Sequence, residues 1–285
     1  MSQHDALFPP LKNGGLCCRI IKLRSIAGSA KSRHRDSESR NLGASPSPAA
    51  TVEIGYFARD AYKIMNDIQK LKNKLKSENI KGIALDIDET LSDTNNHWFD
   101  HMFLFQPLAG LNKEEVTKRY KFIEHVPGWD NDRARIHMSK LMNSNDFNET
   151  IPLIEDANHI VNKIDKIIPI VAYITARPAT VLSGTKKWLE KHGFPHANLI
   201  TRPSEVEVSK EDLLRRNRWK AEILVSLYPE VIGIIDDNIG LAHQLTELNY
   251  QGIQYLYGGE TKEFSDNKNV VVCPTWQDVL ESLSQ

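Results

Sequence analysis

No stretch of this chain approaches the ~20 consecutive apolar residues that a bilayer-spanning helix needs, so no membrane partner is expected. Cysteine is scarce as well. Cys17, Cys18 and Cys273 cannot build a disulfide framework, and the adjacent pair lacks the spacing of a zinc knuckle. A reduced, cytoplasmic setting is the simplest expectation. Nor is there charge of one sign to spare: 36 Lys and Arg stand against 37 Asp and Glu, a formal net charge of -1. Nothing in that balance draws nucleic acid or an anionic surface. The GxxxxGK[ST] phosphate loop is missing too, which excludes a kinase half of the P-loop type. What remains is an ordinary globular composition, 40% hydrophobic over 285 residues, long enough for one sizeable core or two modest domains.

From Met1 to about Thr51 no apolar period is sustained, and stretches such as Lys31-Ser32-Arg33-His34-Arg35 and Ala44-Ser45-Pro46-Ser47-Pro48 read as a disordered tail. Lys12, Gly14, Gly15, Arg19 and Lys22 interrupt what a secretory signal would keep apolar. The Arg and Ser content is that of an organelle transit peptide, against which Asp36 and Glu38 count, so organelle targeting is the alternative to a cytoplasmic flexible tail.

The chain is organised around Ile83-Ala84-Leu85-Asp86-Ile87-Asp88-Glu89-Thr90-Leu91. An apolar run bounded by Gly82 and a polar turn reads as a buried parallel strand, and a side-chain period of two sends Asp86 and Asp88 to the same side where it ends. Open α/β sheets bind their ligands there. Two carboxylates so close repel unless a cation or a shared proton relieves them. The plainer alternative is a strand-end Asp that caps the next helix beside a solvated Asp88.

Three further signals follow in order: Tyr173-Ile174-Thr175-Ala176-Arg177-Pro178, then Trp219-Lys220, then Gly233-Ile234-Ile235-Asp236-Asp237-Asn238. With these in place the sequence resembles the haloacid dehalogenase-like (HAD) superfamily of phosphohydrolases over roughly residues 80 to 285. That family carries DxDx[TV], a strand-end Ser or Thr, a Lys and a strand-end acidic pair. The resemblance implies an α/β fold, a Rossmann-like three-layer sandwich with a central parallel sheet. It also implies a magnesium-dependent phosphomonoesterase that works through an aspartyl-phosphate on a small phosphorylated substrate.

On this resemblance Asp86 is the nucleophile and Asp88 the acid and base, a role that needs a side chain kept partly neutral. Thr175 contacts the substrate phosphoryl group, Ala176 and Arg177 bind substrate beside it, and Lys220, rather than Lys186 or Lys187, compensates charge. Asp86, Asp236, Asp237 and the backbone carbonyl of Asp88 hold Mg2+, with Asp236 the nearer of the acidic pair. Hard oxygen ligands suit Mg2+ better than zinc. The plainer alternatives are an N-cap for the Asp236-Asp237 pair, a turn residue for Thr175 and a surface ion pair for Arg177.

Glu89 stands where many family members have Gly, which resembles the acid-phosphatase-like branch. Leu199-Ile200-Thr201-Arg202-Pro203 through Lys220 resembles the phosphatase half of polynucleotide kinase-phosphatases. A nucleotide or polynucleotide-end phosphatase is therefore the second enzymatic reading. A non-catalytic HAD-like binding protein is the third, and the filled charged positions count against it.

Around these motifs the chain alternates. Apolar positions Ala61, Ile64, Ile68, Leu71 and Leu75 predict an amphipathic helix over about 57–79, with Lys70, Lys72, Lys74 and Lys76 on a solvated face. Residues 52–94 and 168–285 are expected to form the core, and 95–167 a small helical cap inserted after the first strand. Helical patterning at 113–125 and 150–167 and the aromatics Trp98, Phe99, Phe103 and Phe105 mark that cap. His97, His101, His125 and His137 lack the spacing of a metal site.

Overall fold

The computed structural model describes residues 48–120, 123–203, 210–259, 264 and 267–285. The chain divides into two compact units, Met1–Met65 and Asn66–Gln285. Of the first, the described residues are the opening turns of helix α1 (Pro48–Ser77), and the expected tail through residue 47 lies outside the described residues. Helix α1 starts at Pro48 instead of near 57, a residue suited to a first turn because its missing N–H has no helical acceptor there. Everything below concerns the second unit.

Among the described residues six parallel strands form one sheet: β1 (Gly82–Leu85), β2 (Ile170–Pro178), β3 (Asn198–Arg202), β4 (Val231–Asp236), β5 (Ile253–Tyr257) and β6 (Val270–Cys273). Their order is β3-β2-β1-β4-β5-β6. The chain leaves β1 toward one edge, returns to its other side at β4 and proceeds to the opposite edge. The carboxyl ends of β2, β1 and β4 are thus neighbours at the reversal point, where such sheets open a crevice.

The period of two sorts the sheet's side chains into layers. Ile83, Leu85, Tyr173, Ile235, Tyr255 and Cys273 face one way and pack with helices α6 (Ala157–Ile164), α7 (Leu182–Lys191) and α10 (Trp276–Leu283), through Ile160, Val161, Ile164, Trp188, Trp276 and Val279. Leu256 and Val270 face the other way, against Ala242 of α9 (Ile239–Glu247). Both faces being covered, the strands read as continuous apolar runs. Gly233 is required in β4, because a Cβ there would stand 2.5 Å from the carbonyl oxygen of Ile253 on β5. Lys72 of α1 is not on the expected solvated face. Its ammonium donates to the carbonyls of Ser226 at 2.5 Å, in the last turn of helix α8 (Lys210–Leu227), and of Tyr228 at 3.2 Å, just beyond it.

Between β1 and β2 the chain forms α2 (Thr94–Phe105), α3 (Lys113–Arg119), a 3-10 turn at Ile123–His125, α4 (Asp132–Met142) and α5 (Asn145–Thr150) before α6. Asn112 and Glu115 close a capping box on α3, and Asn131 and Ser144 cap α4 and α5. This segment has its own apolar cluster of Phe99, Met102, Val116, Ile123, Val126, Trp129 and Ala134. Helix α6 instead contributes Ala157, Ile160, Val161 and Ile164 to the cluster that covers the sheet. Among the described residues no helix is long and apolar enough to cross a membrane.

Candidate active site

Strand β1 ends at Leu85, and the amide of Asp86 still donates to the carbonyl of Ile235 at 2.9 Å, so Asp86 enters the crevice held against β4. Its carboxylate is buried, and the Lys220 ammonium from α8 lies 2.8 Å from Oδ1, an ion pair without hydrogen-bond alignment. The same ammonium donates to Asp236 Oδ2 at 2.7 Å. Lysine 220 is 4% exposed and Asp236 0%. Burial opposes the lysine's charge, but the Asp236 and Asp86 carboxylates outweigh it and hold the ammonium well above its usual range. Lys186 and Lys187, by contrast, pair on the surface with Glu190 and Glu149.

One ammonium does not balance the carboxylates gathered here. Ligand atoms of Asp86, Asp236 and Asp237 all lie within 4.8 Å of one another. Burial, with Asp236 and Asp88 adding repulsion against the attraction of Lys220, pushes Asp86 up to about 7. Burial and the charges of Asp236 and Asp86 push Asp237 well above the carboxylate range. A second cation at this point would relieve both, and a set of hard oxygens suits Mg2+.

The hydrogen bonds distinguish the two members of the acidic pair. Asp236 spends Oδ2 on Lys220 and Oδ1 on the amide of Asn238 at 2.8 Å, a turn that Asn238 continues by capping α9 through the amide of Gly240. Asp237 has the freer carboxylate, with the Thr90 hydroxyl at 3.5 Å from Oδ1, while its amide donates back to Thr90 Oγ1 at 3.2 Å. Gln254 on β5 donates to the carbonyls of Asp236 and Asn238 at 3.5 and 3.2 Å and steadies the turn from below.

Asp88 lies in a different environment two residues on. Arg177 Nε and Nη2 donate to its Oδ1 at 3.0 and 2.7 Å, and Thr94 Oγ1 adds a bond at 2.7 Å. Oδ2 has longer partners, Arg177 Nε at 3.2 Å and Thr175 Oγ1 at 3.4 Å. Burial raises this carboxyl, but the charge and hydrogen bonds of Arg177, then Thr94 and Lys220, outweigh it and hold Asp88 below its ordinary value. Against the expectation of a partly neutral Asp88, the guanidinium draws it toward the ionised form, whereas burial draws Asp86 and Asp237 toward the protonated one.

Arg177 is not in a surface pair, being 5% exposed with Nη2 also on Ser92 Oγ at 3.1 Å and Nη1 3.5 Å from Thr185 Oγ1. Thr175 is fully buried, accepts from the amide of Arg177 at 3.2 Å and directs its hydroxyl to Asp88. The carbonyl of Ala176 accepts from Arg202 Nε at 2.6 Å.

The loop between Asp86 and α2 carries partners that no sequence motif singled out. Glu89 adopts φ 57°, the left-handed region that a glycine enters freely, which gives a physical reason for the glycine common at this position. Its carboxylate accepts from the amide of Asn95 at 2.6 Å at the start of α2, and burial pushes it up to about 7. Ser92 and Thr94 share a hydrogen bond at 2.8 Å and both approach Asp88. The only sequence signal for them is the density of hydroxyls in Thr90-Leu91-Ser92-Asp93-Thr94.

Along α2, Trp98 packs on Phe147 with ring centroids 4.6 Å apart, and His97 and His101 approach the same ring at 4.7 and 4.9 Å. His97 Nε2 is 3.3 Å from Thr150 Oγ1. Phe99 is buried against Trp129, whereas Phe105 stacks on His137 at 3.7 Å.

No family model matches the chain, and none of the curated proteins does. Among solved structures, the chain is similar to a HAD hydrolase of family IA, variant 3, from Entamoeba histolytica, 14% identical with a TM-score of 0.44, covering 72% of this chain and 100% of that one. A phosphoserine phosphatase from T. onnurineus is 15% identical with a TM-score of 0.37, over 72% of this chain and 96% of its own. Cytosolic 5'-nucleotidase IIIB bound to cytidine is 11% identical with a TM-score of 0.35, over 76% and 90%. Likenesses this loose decide nothing about chemistry, which is left to the side chains of the crevice.

Proposed function

We propose that the chain is a magnesium-dependent phosphomonoesterase acting on a small phosphorylated substrate through an aspartyl-phosphate. The observation that carries this reading is the Lys220 ammonium set between Asp86 and Asp236, 2.8 and 2.7 Å away, at the mouth of the sheet with Asp237 beside them. Such a cluster holds more negative charge than a stable core needs, and it suits a site that binds a cation and then an anion. Asp86, Asp237 and Asp236, with the backbone carbonyl of Asp88, would hold Mg2+. When bound it would offset the negative charge of a phosphoryl group beside three carboxylates.

The chain's own residues then divide the work. The Asp86 carboxylate attacks phosphorus, forming an Asp86 O–P bond as the ester P–O bond breaks. Asp88, which Arg177 draws toward the ionised form, would take up a proton from solvent before cleavage, give it to the leaving oxygen, and later take one from the water that hydrolyses the acyl phosphate. Lys220 keeps Asp86 oriented and compensates the charge that gathers in the transition state. A panel of phosphate esters, including sugar phosphates, nucleoside monophosphates and phosphorylated oligonucleotide ends, assayed with Mg2+ and with chelator, tests activity, metal and substrate class together. Turnover that needs Mg2+ is expected for at least one small ester. No turnover of any ester with Mg2+, by protein that is folded, would refute the reading.

A further inference from the structure

Helix α5 lies in the insert by sequence, yet the core holds it. Gly184 is the third residue of α7, so no carbonyl of that helix can serve its amide. Asn145, the first residue of α5, serves it instead, accepting through Oδ1 at 2.6 Å. The two backbones touch there: a Cβ on Gly184 would stand 2.5 Å from the carbonyl oxygen of Asn145 and 2.8 Å from its Cα. One turn along α7 the buried Trp188 donates its indole N–H to the carbonyl of Ile151, just past α5, at 2.7 Å. Ahead of α7 the Thr180 hydroxyl donates to Asn143 Oδ1 at 2.6 Å, and the Lys187 ammonium lies 2.7 Å from Glu149 Oε1. The joint thus runs the whole length of α5.

The ends of the insert are tied to each other as well. The amide of Asp93 donates to the carbonyl of Pro152, and that of Ile154 to the carbonyl of Leu91, each at 2.9 Å, on either side of the bridge between Ser92 and Leu153. Helix α2 in turn rests on α5, with His97, Trp98 and His101 around the buried Phe147 ring. Every way of swinging the insert out is therefore opposed. Moving α5 strips the Gly184 amide and the Trp188 indole of their partners, and moving α2 alone uncovers Phe147. We propose that α5 is part of the core and that the insert is a fixed wall, docked on α7 with and without ligand, and not a lid. The separately packed part of the insert then ends at Met142, the last residue of α4. The inference concerns the joint alone and stands apart from the reaction proposed above.

Hydrogen exchange reads the joint, because the Gly184 amide is protected only while Asn145 stays in place. A lid that is open about 0.1–10% of the time would limit that protection to about 10- to 1,000-fold, far below the protection of an amide in the middle of a core helix. Leu189, in the middle of α7, supplies the comparison. Followed by NMR on the full chain, Gly184 should be protected to within ~10-fold of Leu189 in chelator, in Mg2+, and in Mg2+ with inorganic phosphate. The Trp188 indole should follow Gly184. Asn145→Ala should lower the ratio of Gly184 to Leu189 protection at least ~10-fold, whereas Asn145→Asp, which keeps an acceptor, should not. A Gly184 amide that exchanges more than ~10-fold faster than Leu189 in the unsubstituted chain, or a gap between them that phosphate closes, overturns the inference. So does an unchanged ratio in Asn145→Ala, since something other than the joint would then protect the amide. Should Asn145→Ala fail to fold, the ratio in the unsubstituted chain still decides between wall and lid.

Discussion

Replacing Asp86, the proposed nucleophile, with asparagine should stabilise the protein in chelator at neutral pH. Asp86 is buried, and burial together with Asp236 and Asp88 outweighs Lys220 and lifts it to about 7. Between the ordinary carboxylate value and about 7 the folded chain holds a proton that the unfolded chain has released, so stability falls as pH rises through that window. Above it the ionised Asp86 costs about 4 kcal/mol as an upper figure, at 1.36 kcal/mol for each tenfold change. Asparagine keeps the shape of the protonated carboxyl and does not ionise. At pH 7.5 in chelator, Asp86→Asn should therefore melt higher than the parent chain, by up to roughly 8–16 °C if 1 kcal/mol moves a domain of this size by about 2–4 °C. At pH 4.5 the two should melt together. Mg2+ should raise the melting temperature of the parent far more at pH 7.5 than at pH 5, because the metal competes with the proton for the same oxygens. The variant should have lost turnover altogether. Melting curves at three pH values, with chelator and with Mg2+, measure all of this. A variant less stable than the parent at pH 7.5 in chelator would refute the charge-excess argument for the site.

Two further outcomes follow from the geometry. Glu89 is held at φ 57°, so glycine should be the better small residue there. Glu89→Gly should be more stable than Glu89→Ala by about 1 kcal/mol in denaturant titrations, the reverse of the order in an ordinary helix or strand, and equal stabilities would argue against the left-handed backbone. In the insert, Phe99 is 2% exposed within the apolar cluster, whereas Trp98 is half-buried on Phe147. Phe99→Ala should cost about 3–5 kcal/mol of stability, while Trp98→Ala should change KM and substrate preference across a panel of esters. A common factor on all esters for Trp98→Ala would make Trp98 a packing residue as well.

Much of the core was legible because two periodicities write it plainly. The runs that form β1, β2, β4 and β6 are apolar on both faces. The insert was harder to read. Residues 150–167 carry helical spacing, yet Pro152 and the left-handed Asp156 delay the helix to Ala157–Ile164. Helices α4 and α5 show no strong apolar stripe of their own, and they rest on Asn131 and Ser144 caps that need the three-dimensional turn to be recognised.

The site divides along the same line. Asp86, Lys220, Asp236 and Asp237 could be found from the chain because each sits at, or one helix before, a strand end, and parallel topology brings strand ends together. What the order of residues could not state is how one carboxylate differs from another. Asp86 and Asp88 are chemically identical and two residues apart, and only a partner from β2, 89 positions away, makes Asp88 the readily ionised one and leaves Asp86 reluctant. The same holds for Asp236 and Asp237. Lys220 and the Asn238 amide consume the first, so the oxygen most open to a cation belongs to the second. A motif therefore locates charge, while the assignment of acid, base, ligand and nucleophile among like residues is made by the neutral and cationic donors that surround them. In this crevice those donors include Lys220, Arg177 and the hydroxyls of Thr90, Ser92, Thr94 and Thr175, and the hydroxyls carry no charge to announce themselves in a sequence.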